Sequence, residues 1–189
     1  YASVKPDNYK IGQMLAERLI QDDEEQLENK KIGVILGKAE TEENVNRIAG
    51  LKDGLEGSGC EISWEYNYAR GNQNTSEIIA SKKQVDYLVI LDNWALEEVG
   101  EAAEGNKYHG AKIYGVGSSE KTIVLLDNQN IECLVVPDDY ETGYMSMNEI
   151  AKKLRHSFYK MNSCETEVRI INKEDLYSKD LERFLYSYE

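Results

Sequence analysis

Short apolar runs alternate with stretches of helical periodicity along almost the whole chain, and no other feature restricts its fold as much. The runs are KIGVILG (31–37), CEISWEYNY (60–68), VDYLVIL (85–91), AKIYGVG (111–117), ECLVVP (132–137) and TEVRII (166–171). Their length and their content of β-branched and aromatic residues predict strands. Helical patterns fill the gaps at 9–21, 42–57, 75–83, 94–104, 119–127, 140–160 and 173–187. Several open on a residue able to cap them: Asp7 or Asn8, Thr41, Asn74 or Thr75, and Asn93. Strand, helix, strand, helix predicts an α/β fold, an open and mostly parallel sheet with helices on both faces.

A sheet of this kind also predicts where chemistry collects. Ligands bind outside the carboxyl ends of the strands, where loops lead into helix N-termini and backbone N–H groups point outward. That rule places 37–43, 91–94, 115–121 and 137–140 on a single rim. No fixed-period repeat and no Gly/Ser- or Pro-rich linker divides the chain, so it reads as one unit.

The excluded functions are as informative. With 35 acidic and 22 basic residues the net charge is −13, opposite to what displacement of counterions from phosphates requires, so no direct contact with nucleic acid is expected. The apolar runs are too short to span a bilayer. Cys60, Cys133 and Cys164 are odd in number and widely spaced, which fits neither a disulfide framework nor a metal or redox motif. His109 and His156 are the only histidines, and neither is paired with a nucleophile; HExxH and GxSxG are absent. GVGSSEKT (115–122) lacks the spacing of a phosphate-binding loop, and GKAETEE (37–43) carries acids where phosphate would sit. No cofactor, no metal and no catalysis are expected.

The rim residues each have two readings. Arg47 offers a planar five-donor fork to the hydroxyl or carboxylate groups of a solute, or pairs with Glu42 or Glu43 at or near helical spacing. Asp92 and Asn93 cap the next helix or reach a solute. Trp94 offers a flat apolar face to a sugar ring or packs into the domain. Ser118, Ser119 and the N–H groups after them could hold an anion.

The order PDNYKIGQMLAERLI, KIGVILG, NRIAGLKDGL, VDYLVILDNWALEEVGEA, KIYGVGSSEK, CLVVPDDYETGYMSMNEIAKKL resembles the type I periplasmic-binding-protein family, over essentially the whole chain. That family includes the sugar-binding proteins of ABC importers and the effector domains of LacI-like repressors. The resemblance implies two α/β lobes joined by three crossovers, with solute held between them. The crossovers would fall at 1–8, 136–140 and 162–166. Most of the chain, about 9–137 and 166–189, would be the second lobe, and helix 140–160 would belong to a first lobe otherwise absent.

The family pattern RxxG[FL] puts its solute-binding arginine on Arg47 in RIAGL, and the resemblance brings in Asp92 and Asp138 of the acidic pair DD. Three positions depart from it: Leu91 replaces a polar amide, Gly117 an aspartate and Pro137 a polar residue. A sugar hydroxyl left unpaired costs about 1–3 kcal/mol, so Trp94, Ser118, Ser119, Glu120 and Lys121 are expected to substitute.

The expected function is a non-catalytic module for a small polar solute, a sugar or sugar-like molecule. It would act with a membrane permease or a sensor protein, outside the cytoplasm, tethered to the membrane through a region upstream of Tyr1. Exposed apolar surface on helix 140–160 makes a homodimer an expected association. The alternatives are a cytoplasmic LacI-like effector domain and an enzyme on the same architecture.

Overall fold

The structure, a computed structural model, describes residues 2–23, 27–37, 41–71, 74–103 and 106–185. Six strands form the main sheet in the order β3-β2-β4-β5-β6-β8. They are β2 (Lys31–Leu36), β3 (Glu61–Asn67), β4 (Tyr87–Ile90), β5 (Lys112–Val116), β6 (Cys133–Pro137) and β8 (Val168–Ile171). All neighbours run parallel except β8, which lies antiparallel on β6. A separate two-stranded parallel ribbon pairs β1 (Val4–Pro6) with β7 (Cys164–Thr166).

Alternation along each strand divides the core between the two faces. In β4, Tyr87 and Val89 face one helix layer while Leu88 and Ile90 face the other. The first layer is α1 (Asn8–Asp22) and α2 (Glu42–Gly54). Ile11, Leu15 and Leu19 of α1 recur every four residues and lie with Leu51 of α2 over Ile32, Val34 and Val89. Gly12 and Gly50 let these helices touch: a Cβ at 12 would stand 2.1 Å from the Arg47 carbonyl oxygen, and one at 50 would stand 1.9 Å from that of Tyr9. The second layer is α3 (Thr75–Ser81), α4 (Asn93–Glu101) and α5 (Glu120–Asp127). Their apolar faces bury Ile79, Leu96, Val99, Ile123 and Leu126 on the opposite side of the sheet.

The expected α/β architecture is present, with four local corrections. Helix 140–160 is α6 (Asp139–Arg155); it stops there because His156 turns extended, and 156–162 folds back along it. The run 166–171 is two strands in two sheets, crossing at Glu167, whose carbonyl accepts from the Asp138 N–H. The pattern at 173–187 is not one helix. It forms 3-10 turns at Lys173–Tyr177 and Lys179–Leu181 and a short α7 (Glu182–Leu185), because Ser178 is extended and an Asn172–Asp175 capping box starts the first turn. Residues 186–187 of that pattern, and 104 of the pattern at 94–104, lie outside the described residues. Last, Asp92 and not Asn93 caps α4, so Asn93 is its first helical residue.

Between β2 and β4 the strand order reverses: the chain steps out to β3 on one side and then continues outward from β4 on the other. Loops diverge at such a point and leave a crevice at the carboxyl ends. Its walls are the ends of β2 and β4 and the starts of α2 and α4.

Candidate functional site

The buried stripe of α2 changes character along its length, from Leu51 and Gly50 at the far end to Arg47 and Asn44 at the rim. Thr41 caps the helix by accepting from the Asn44 N–H at 3.3 Å, and Glu42 and Glu43 in the first turn suit the positive end of the helix dipole. Arg47 follows one turn later and is 6% exposed. Its Nε donates to Asn8 Oδ1 at 2.9 Å and its Nη1 to the Leu91 carbonyl at 2.7 Å, while Nη2 stands 2.5 Å from Glu43 Oε1. One guanidinium thus joins the start of α1, the end of β4 and its own helix. Burial pushes its pKa down, opposed by Glu43, Asp92 and Asp139, and the group stays charged. The ion pair with Glu43 is the one that helical spacing offered, and the same guanidinium lines the cleft.

That cleft has a volume of about 540 Å³ and opens over the crevice. Of the residues singled out in the sequence, Arg47, Asp92, Asn93, Trp94 and Ser118 line it, with Gly117 and Pro137. Asp92 Oδ1 accepts from the Ala95 N–H at 3.0 Å, and Gly37 gives the carboxylate room, because a Cβ there would lie 2.6 Å from Asp92 Oδ2. Asn93 Oδ1 accepts from the N–H groups of Ser118 at 3.1 Å and Ser119 at 3.4 Å, fixing the β5–α5 loop against α4. Gly117 belongs to the same arrangement: a side chain there would stand 2.9 Å from Asn93 Oδ1, so an aspartate could enter only if Asn93 moved.

Ser119, Lys121 and Asp138 do not line the cleft. Ser119 caps α5 by accepting from the Thr122 N–H, and Lys121 Nζ pairs with Glu101 at 2.7 Å. Asp138 is buried and caps α6, its Oδ1 accepting from the Glu141 N–H at 2.7 Å. Residues 38–40 of the rim lie outside the described residues.

Several lining groups escaped the sequence reading. Lys5 of β1 pairs with Glu42 at 2.5 Å, Asn8 holds Arg47, and Asp139 Oδ2 accepts from Ser118 Oγ at 2.7 Å. Trp94 is 46% exposed, and the guanidinium of Arg70, from the β3–α3 loop, lies 3.8 Å from its ring centroid. Asp139 carried a signal in the DDY string; Arg70 carried none, because only folding brings its loop over α4. Cys133 is fully buried and burial pushes its thiol up to about 12, which makes it inert. No group of His, Cys, Asp and Glu among the described residues is arranged to hold a metal ion.

A strand-order reversal with a cleft above it is where open α/β sheets hold their ligands. The family model for a periplasmic binding protein domain matches residues 1–157, and the chain belongs to that family. No curated protein matches it by sequence. Among solved structures, GanP, a glucose-galactose binding protein from Geobacillus stearothermophilus, is similar at 21% identity and a TM-score of 0.79, over 93% of this chain and 64% of its own. A carbohydrate transporter solute binding protein from Agrobacterium radiobacter, in complex with D-arabinose, is 19% identical with a TM-score of 0.83 over 98% and 65%. An ABC transporter solute binding protein from Agrobacterium vitis with bound D-fucose is 18% identical with a TM-score of 0.81 over 98% and 64%. At these identities the likeness is one of fold, and the chain spans just under two thirds of the length of each.

Proposed function

We propose that this chain is the larger part of a non-catalytic solute-binding protein. It closes by hinge motion on a small polar molecule, a sugar or sugar-like solute, and delivers it to a membrane permease or reports it to a sensor outside the cytoplasm. The observation that carries this reading is the cleft at the strand-order reversal, floored by a guanidinium that three protein groups hold in place. A fork fixed before binding costs a hydroxylated guest little ordering entropy. Three of its five N–H groups are engaged by the protein, which leaves two for a guest. The sugars held by the two Agrobacterium proteins support a carbohydrate as solute.

The same reading assigns the parts of the chain. Residues 9–137 and 166–189 form one lobe, and the β1–β7 ribbon and the segment around Pro137 are hinges. Helix α6 is the piece of the opposing lobe that this chain carries. Its exposed Tyr140, Tyr144, Met147 and Leu154 repeat at helical spacing, as on a helix whose packing partner is a second lobe.

The isolated chain supplies half of a cleft and is expected to bind weakly. Amide NMR titration with D-arabinose, D-fucose, D-galactose and D-glucose is therefore the test, because it registers millimolar binding. Shifts confined to the rim around Arg47, Asp92, Asn93 and Ser118, abolished in Arg47→Ala, are expected. Rim resonances unmoved by any sugar, or moved equally in Arg47→Ala, would count against the assignment.

A further inference from the structure

The charges around the cleft do not balance. Among the described lining residues, the carboxylates of Glu42, Glu43, Asp92 and Asp139 outnumber the cations of Lys5 and Arg47 by four to two. Both cations are already committed, Lys5 to Glu42 and Arg47 to Glu43, each at 2.5 Å. Asp92 and Asp139 receive neutral donors instead, the Ala95 N–H and the Ser118 hydroxyl, and among the described residues neither is ion-paired. An anionic guest would therefore meet carboxylates, and the two lining cations each hold one already.

A second observation is independent of that balance. The exposed ring of Trp94 lines the cleft, and its face carries the guanidinium of Arg70. The indole already serves as a platform for a positive group, attracted by the negative potential over its π-face. With Arg70 counted, four carboxylates still stand against three cations among the described residues.

We propose that the cleft selects a hydroxylated solute bearing an ammonium group, an amino sugar or amino polyol, over its neutral and anionic counterparts. This rests on the solute-binding reading above and narrows it. The ammonium gives Asp92 and Asp139 a direct ion pair, which neither has among the described residues, and competes with Arg70 for the face of Trp94. The hydroxyls take the remaining donors of Arg47. Lys5 and Arg47 keep their own carboxylates throughout, so neither of these ion pairs has to break; the contact that yields is that of Arg70 with Trp94.

The test is an amide NMR titration of the chain with two charge series, D-glucosamine, D-glucose and D-glucuronate, and their galacto equivalents, repeated as salt is raised. The amine is expected to bind tightest and the uronate weakest, with the gap between amine and neutral sugar closing at high salt. Asp139→Asn retains an acceptor for the Ser118 hydroxyl and leaves the Asp138 cap in place. It should cut the preference for amine over neutral sugar by about fivefold, the effect of one charge across a partly solvated cleft. An unchanged melting temperature shows that the variant is folded. Neutral sugar bound as tightly as amine, or uronate bound tightest, overturns the proposal while sparing the solute-binding reading. If all six sugars leave the rim resonances unmoved, both fall together.

Discussion

Arg47 shows how one residue can be structural and functional at once. Replacing it with Met keeps much of the volume but leaves Asn8 Oδ1, the Leu91 carbonyl and Glu43 without their donor. Glu43 is half exposed and recovers part of its loss from water, so we expect a destabilisation of about 2–3 kcal/mol in urea unfolding. Gly50→Ala should cost a comparable amount, about 3 kcal/mol, because the Tyr9 carbonyl cannot yield without moving α1 off α2. A melting temperature unchanged in Gly50→Ala would show the helix contact to be looser than its geometry. Arg47 could be placed near the rim from sequence because it falls in the first turns of the helix after a strand, whereas its spacing pointed to the ion pair and only the RIAGL string pointed to a solute. Lys5, Asn8 and Arg70 could not, since each meets its partner only after distant segments are brought together. Lys121 misled because a cation beside a glycine-rich turn looks like a ligand group, whereas α5 carries it round to Glu101 on α4.

At the scale of elements, α6 is held at its far end by a single carboxylate. Glu149 accepts from the Asn162 N–H at 2.8 Å, from Lys152 Nζ at 2.9 Å and from the Tyr159 hydroxyl, and so straps residues 156–162 along the helix. The Asn162 N–H, then the Lys152 ammonium, hold this carboxyl below the usual carboxylate range. A folded pKa below the unfolded one gives a contribution that is complete above the unfolded value, about 4.3 for glutamate, and is lost as pH falls through the lowered folded value. Protection of the Asn162 amide, measured against the intrinsic exchange rate at each pH, should accordingly fall on acidification below that point, and Glu149→Gln should remove the dependence. The central strands were legible because β2, β4, β5 and β6 are buried on both faces and read as continuous apolar runs. β1, only three residues long, was not, for its strand character comes from pairing with β7 far along the chain. The tail at 173–187 failed in the opposite sense: its apolar residues are spaced for a helix, yet Leu176, Phe184 and Leu185 reach the core from successive turns.

The whole molecule has two finished faces and one bare helix. Leu154 is 82% exposed and Phe158 fully so, beside Tyr140, Tyr144 and Met147. Apolar surface gathered in one place drives association. Sedimentation or light scattering of the isolated chain should show mass rising with concentration, and a Met147→Lys, Leu154→Lys double variant should stay monomeric. A monomer at every concentration for the unaltered chain would show that α6 needs no cover. The layered sheet and its rim followed from strand–helix alternation alone, whereas the division of the chain into lobe and hinge came from the family resemblance, because nothing in residue spacing marks where a ribbon leaves a sheet.

The ribbon β1–β7 has a further consequence. Lys5 lies within β1 and grips Glu42; two residues beyond its end, Asn8 grips Arg47 and donates to the Pro6 carbonyl. Any tilt of this narrow band therefore moves Lys5 directly and Arg47 through Asn8, and a guest held by Arg47, as proposed above, would restrain the band in return. By reciprocity, occupancy and posture are a single equilibrium that can be read from either end.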